Sequence, residues 1–155
     1  MLNLNLGAGQ DIKKGYINID IRHLPGVNVI ADICKLPFRD NSVDEISALD
    51  VLEHVSRLET VNVLKKWADL LKVKGVLTLQ LPCLDSIIKF LIGSKTLEDI
   101  EWGIELLFGG QDYKENSHFT TGHVLLMTSY LERVGMVEIY HSLQGYNVVF
   151  KCKKG

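Results

Sequence analysis

Paired cysteines, long apolar runs and an excess of charge of either sign are all missing from this chain, and each absence removes a class of protein. The three cysteines, Cys34, Cys83 and Cys152, are odd in number and without CxxC spacing, which speaks against a disulfide framework or a structural zinc site and for a reducing compartment. A cytoplasmic location is the expectation. No apolar stretch approaches the roughly 20 residues needed to span a bilayer, and the opening MLNLNLG enters a strand pattern without the basic segment of an export signal. No membrane partner is expected. Lys and Arg number 17 against 19 Asp and Glu, and the one dense basic run is Lys151 to Lys154, so a surface tracking a nucleic-acid backbone is not indicated. Repeats, low-complexity tracts and linkers are absent too. A chain of 155 residues then reads as one domain, 1–155, long enough to bury a core without staples.

What is present is an ordered series of strands and helices. Strands are predicted at Leu2 to Leu6, Tyr16 to Asp20, Val27 to Ala31 and Val43 to Ala48, separated by GAG, KKG, LPG and RDN turn signals. A helix follows. Ser56 and Glu59 form an S-x-x-E capping box, Leu58, Val61, Leu64, Trp67, Ala68 and Leu71 recur at helical spacing, and Gly75 supplies the stop. Val76 to Leu81 is a fifth strand that exits at Pro82. Helices are predicted over 86–92 and 97–107, the second behind a Thr96/Asp99 box. Then comes GGQDYKENSHFTTG, too long for a turn, so that 85–122 reads as a substrate lid or insert. His123 to Val134 forms the last helix, and Val137 to His141 faces Tyr146 to Lys151 across SLQG as a hairpin. Trp67 and Trp102 lie on apolar helical stripes and are expected in a core or an interface.

This order predicts an α/β fold: a mostly parallel sheet ending in an antiparallel hairpin, with ligands beyond the carboxyl ends of the strands. A rim of glycines and acids occupies those ends. Gly7 and Gly9 in LGAG let the backbone turn sharply and approach a ligand. Asp20, closing the second strand, can accept from both hydroxyls of a ribose. Asp32 can accept from an adenine amino group or close an Asx turn before KLPF.

The segments LNLGAGQ, YINIDI, ADICKLPF, VDEISALDVLEHV, LLKVKGVLTLQLP and LMTSYLERVGM resemble, in that order, the class I S-adenosylmethionine-dependent methyltransferases of Rossmann-like fold. The whole chain takes part. GYINIDI, DICKLPFRDNSVDEI, LEH and the later GGQ with a downstream histidine are similar to a compact bacterial subgroup of predicted methyltransferases, type 11-like, often linked to glycan or small-molecule modification. The resemblance implies that Gly7, Ala8 and Gly9 lie along the methionine part of the cofactor S-adenosylmethionine, with Asp20 on the ribose and Ile21 against the adenine. Asp32 and the backbone of Ile33 would read the adenine edge. Ala48, Leu49 and Asp50 would line the pocket floor, while His54 either faces the site or caps the next helix. Asn5 stands where the family keeps an acid, which weakens the hold on the cofactor's ammonium. Asp11 stands where it keeps a third glycine.

Spacing marks a further departure. About six residues separate Gly9 from Tyr16, and as many separate Asp20 from Val27, whereas parallel crossovers need about a dozen. With no helix expected before the first strand either, three helices of one sheet face are expected to be missing or reduced to turns. The strand alternation agrees, with Leu2, Leu4 and Leu6 toward the retained helices and Asn3 and Asn5 on the opposite face. That face would be polar and wet or covered by a second copy, so a homodimer is the expectation.

The function implied is methyl transfer to a small-molecule or glycan-type acceptor. Such chemistry rests on alignment, but a hydroxyl acceptor is helped by a base, for which His118, His123, Asp50 and Glu53 are candidates. His118, in the lid, is the preferred catalytic residue, against the plain alternative of a surface loop histidine. His118 and His123 lack an HExxH pattern or a third ligand, so no metal is expected. A rival reading is a noncatalytic protein that retains the nucleoside pocket. A nicotinamide dehydrogenase would need its glycine loop to open a helix, which this loop does not do.

Overall fold

Apolar residues at alternate strand positions give the chain one sheet face to bury, and a single helical layer covers it. The computed structural model describes all 155 residues. Seven strands form one sheet: β1 (Asn3–Leu6), β2 (Ile17–Asp20), β3 (Val29–Ile30), β4 (Val43–Leu49), β5 (Leu71–Pro82), β6 (Met136–Gln144) and β7 (Asn147–Lys154). Their order is β3-β2-β1-β4-β5-β7-β6, with β7 antiparallel to both neighbours and the other pairs parallel. The expected α/β sheet with its terminal hairpin is therefore present. Strand order reverses between β1 and β4, so a crevice opens at their carboxyl ends.

Four helices complete the chain: α1 (Thr60–Leu70), α2 (Leu84–Gly93), α3 (Leu97–Phe108) and α4 (Val124–Arg133). Leu4, Leu6, Ile46, Leu77, Leu79 and Phe150 from the sheet share one buried cluster with Leu64 and Trp67 of α1 and Met127 and Leu131 of α4. Trp67 is fully buried, and its indole N–H donates to the Ile33 carbonyl at 3.0 Å, which satisfies the one polar atom of a large core side chain. Trp102, by contrast, is about half exposed on α3. No helix is long and apolar enough to cross a membrane.

Several predicted boundaries shift for identifiable reasons. The Ser56/Glu59 box does not form: α1 starts at Thr60 without a side-chain cap, and the Thr60 hydroxyl instead donates to the Ser56 carbonyl at 3.2 Å. Gly75 is no helix stop. The helix ends at Leu70 and the chain passes straight into β5, with Gly75 inside the strand, where a side chain would strike the Lys72 and Asp44 carbonyls at 2.8 and 3.2 Å. Thr96 does cap α3, accepting from the Asp99 amide at 3.1 Å. Ser142, Leu143 and Gln144 of the SLQG segment belong to β6, which runs on to Gln144, and only Gly145 stands in the turn, with Tyr146.

The second sheet face is where Asn3 and Asn5 point, yet Asn5 is buried. The shortened β1 to β2 connection folds over it. The Asn5 amide donates to the Asp11 carbonyl at 2.7 Å and to Asn18 Oδ1 at 2.9 Å, Asn18 Oδ1 also accepts from the Lys13 amide, and Lys13 Nζ reaches the Ser47 hydroxyl. A polar net has taken the place of a helix on this stretch of sheet.

Candidate functional site

The carboxyl ends of β1, β2 and β4 meet a cavity of about 560 Å³, within the size range of cofactor pockets. Its walls include Gly7, Asp20, Ile21, Arg22, Asp32, Ile33, Asp50, Val51 and His54, with Tyr113, Lys114, Glu115 and Phe119 across the mouth. Of the residues predicted from sequence, Gly7, Asp20, Ile21, Asp32, Ile33, Asp50 and His54 meet there. Asn5, Ala8, Gly9, Ala48, Leu49 and His118 are not among its lining residues. Ala8 and Ala48 are buried, Gly9 supports Asp20 from behind, Leu49 sits at the end of β4, and Asn5 is committed to the net above.

Gly7 shapes the floor. Its φ is +61°, and a Cβ added there would fall 2.3 Å from Val51 Cγ2, so the backbone bends where only glycine fits. Beside it the Asp20 carboxylate is almost fully buried. Oδ2 accepts from the Gly9 amide at 2.8 Å, and Oδ1 accepts from the Arg22 amide at 2.9 Å and from Arg22 Nε at 3.2 Å. Burial opposes the charge, but these donors outweigh it and hold the carboxyl below its usual range. Arg22 then lies over the Tyr113 ring at 4.6 Å, tying the strand-end acid to the loop across the mouth. Ile21 offers an exposed apolar side chain to the same cavity. Asp32 Oδ1 closes the Asx turn to the Cys34 amide at 2.8 Å.

A second cluster stands at the other end. β4 closes on Asp50, a non-glycine residue at φ +51°, and the following 3-10 turn, Leu52–His54, turns Glu53 inward and His54 toward the cavity. Asp50 accepts from Gln80 at 2.7 Å and from Asn147 at 3.2 Å, and burial raises its pKa. Glu53 is buried with Oε2 unpaired, and burial, with the nearby Asp50 charge, pushes its carboxyl up to about 8. The loop returns here too: the Phe119 and Thr120 amides donate to the Glu53 carbonyl at 2.7 and 3.3 Å. His118 stands edge-on to His54, ring centres 5.0 Å apart, its pKa lowered by burial and by that neighbour.

The sequence set aside a His118 and His123 pair; the fold places His118 against His54, 64 positions earlier in the chain, and His123 beside Asp85 at 3.5 Å. Arg22, Val51, Tyr113 and the inward role of Glu53 had no signal of their own. For Arg22 a hint lay in its position two residues beyond the strand-end acid, within reach of that side chain.

Comparison with known proteins adds the following. The family described as a methyltransferase domain matches residues 7–79. An uncharacterized protein of Methanocaldococcus jannaschii is 33% identical over 85 residues, spanning 52% of this chain and 36% of its own length, so that the match covers about a third of that relative. Among solved structures, a SAM-dependent methyltransferase from Archaeoglobus fulgidus superposes with TM-score 0.68 at 14% identity, over 98% of this chain and 85% of the other. One from Methanosarcina mazei gives 0.67 at 20%, over 98% and 91%. The Burkholderia thailandensis 1,6-didemethyltoxoflavin-N1-methyltransferase, with that compound and S-adenosylhomocysteine bound, gives 0.63 at 12%, over 99% and 70%.

Proposed function

From a chain that has the class I S-adenosylmethionine-dependent methyltransferase fold and matches the methyltransferase domain over residues 7–79, we propose methyl transfer to a small-molecule or glycan-type acceptor. The observation that carries the reading is the Gly7 bend beside the buried Asp20 carboxylate at one cavity. The residues fit S-adenosylmethionine: a glycine cradle that a Cβ would fill, an ionised acid for ribose hydroxyls, and the apolar Ile21 beside it for the adenine. Asp32 and the Ile33 backbone would read the adenine edge. Ala8, Gly9, Ala48 and Leu49 would hold the walls from behind.

When bound, the cofactor supplies an electrophilic methyl group on a sulfonium. The chain's own part is to orient an acceptor and exclude water. Tyr113, Lys114, Glu115 and Phe119 support a lid role for the loop after α3, and the His54 and His118 pair stands beside the cavity where an acceptor hydroxyl could lose its proton. The unmatched sheet face supports pairing of two copies as the quaternary part of this proposal. A rival, a pocket that binds without turnover, is favoured by Asn5, whose amide is used structurally and offers no acid to the cofactor's ammonium.

Calorimetry with S-adenosylmethionine and S-adenosylhomocysteine, followed by labelled-methyl transfer to a panel of hydroxyl and amine acceptors, tests the reading. One site per chain and transfer to a small acceptor are expected. Binding with no transfer to any acceptor supports the rival, and preference for NAD overturns both.

A further inference from the structure

The inward turn after β4 has a property that methyl transfer alone does not require. Glu53, His54 and His118 each bring one donor atom within 4.8 Å of the other two. Both imidazoles are held from behind: His54 Nδ1 lies 3.1 Å from the Ser117 carbonyl and His118 Nδ1 lies 3.1 Å from the Leu106 carbonyl. A carbonyl can only accept, so each Nδ1 carries the hydrogen and each neutral ring keeps its lone pair on Nε2. Metal-binding histidines are oriented in this way, by a carbonyl or carboxylate on the second ring nitrogen. The third member is Glu53, 1% exposed, whose Oε2 has no hydrogen-bond partner. A buried carboxyl oxygen without a hydrogen-bond partner is costly, and the surrounding protein offers it none.

We propose that Glu53, His54 and His118 form a site for one divalent transition-metal cation, open toward the cavity. A cation supplies the partner that Glu53 Oε2 lacks and uses both imidazole lone pairs at once. Two imidazoles and one carboxylate suit zinc, manganese, iron(II) or cobalt better than magnesium or calcium, which take oxygen ligands. Donors around a tetrahedral cation at about 2.0–2.1 Å stand about 3.4 Å apart, and the three residues already bring a donor atom each within 4.8 Å of the others, so a cation would draw an existing cluster closer. Three protein ligands leave a coordination position free, and His54 lines the cavity, so that position faces the space where an acceptor would stand. Asp50 adds negative charge nearby, although Gln80 and Asn147 already occupy its oxygens.

One consequence rests on the methyl-transfer reading: the open position would take an oxygen of the acceptor, and His118 would act as ligand in place of base. The site itself does not rest on that reading, and its test measures no methyl transfer. Protein stripped with a chelator is titrated with cobalt(II), whose visible absorption reports imidazole and carboxylate ligation. One equivalent per chain, displaced by zinc, is expected. Glu53→Gln keeps the shape of the side chain and His118→Gln keeps a polar one. Each should weaken cobalt binding at least about tenfold, with circular dichroism showing that the variant is folded. His141→Ala, on the exposed hairpin, should leave binding unchanged. Zinc added to the unmodified protein should also shift the Nε2 resonances of two histidines, a readout independent of any variant. Absence of a cobalt band and of these shifts overturns the proposal, as does binding undiminished in both folded variants. Cofactor calorimetry run separately shows whether the methyltransferase reading stands or falls on its own.

Discussion

Gly7 and Asp20 illustrate two ways in which single residues build this site, one by leaving space and one by holding charge. Gly7 meets Val51 so closely that Gly7→Ala must move either the strand end or the 3-10 turn after β4, at a cost of about 1–3 kcal/mol. Gly9 shares the positive φ, but its nearest neighbour to an added Cβ is Arg22 at 3.7 Å. Gly9→Ala should therefore cost only the backbone strain, about 1 kcal/mol. Urea unfolding of the two variants checks the ranking, and calorimetry should show cofactor affinity falling further for Gly7→Ala. Asp20 yields a pH prediction. Its folded pKa lies below its usual 3.8, so its contribution to stability is complete above that value and is lost as pH falls through the folded pKa. Thermal unfolding between neutral and strongly acid pH should show a steeper acid loss for the unmodified protein than for Asp20→Asn, in which that titration is gone. Equal slopes would mean that Arg22 and Gly9 do not hold the charge.

At the scale of elements, the β1 to β2 connection shows what replaces a helix. Residues 10–16 cannot form a crossover helix, so polar side chains cover the sheet in its place: Asn5 supplies two donors, to the Asp11 carbonyl and to Asn18 Oδ1. An acid at this position would set a carboxylate against two acceptors, the Asp11 carbonyl and Asn18 Oδ1. Asn5→Asp is therefore expected to destabilise the fold by about 2–3 kcal/mol, measured by chemical denaturation; a neutral result would mean the net is dispensable. The strands, and the carboxyl ends of β1, β2 and β4 with their acids, were legible because alternation and turn residues are local signals, whereas β3, β5 and β6 differ from the predicted spans by up to five residues at an end. Glu59 misled for a physical reason: the helix starts a turn later than the box requires, at Thr60, and the Glu59 carboxylate accepts from the Asn62 side-chain amide. Gly75 misled because glycine serves close backbone approach in a strand as well as helix termination. The His54 and His118 pairing was illegible because α2, α3 and the loop after them must all fold before the two rings meet.

The whole molecule carries an asymmetry that its local rules do not resolve. Mostly parallel sheets are normally covered on both faces, yet the two helices that share the core cluster, α1 and α4, pack on one. On the other, Ser47, Thr78 and Lys151 stand in one cross-strand row and Glu45, Val76 and Lys153 in the next. Val76, Thr78 and Gln80 are half-buried, with Lys151 exposed beside them. Glu45 and Lys151 flank the middle of this face on opposite sides, so a second copy related by a two-fold axis can match acid to base across it. A pairing built on such a mixed surface should dissociate on dilution, unlike an obligate interface. Sedimentation at high micromolar concentration is expected to give the mass of two chains. Thr78→Arg, at the centre of the face and away from the cavity, should reduce it to one chain with the fold and cofactor binding retained. A single-chain mass for the unmodified protein at that concentration would mean that solvent, held by Thr78, Gln80 and Lys151, is what covers the second face.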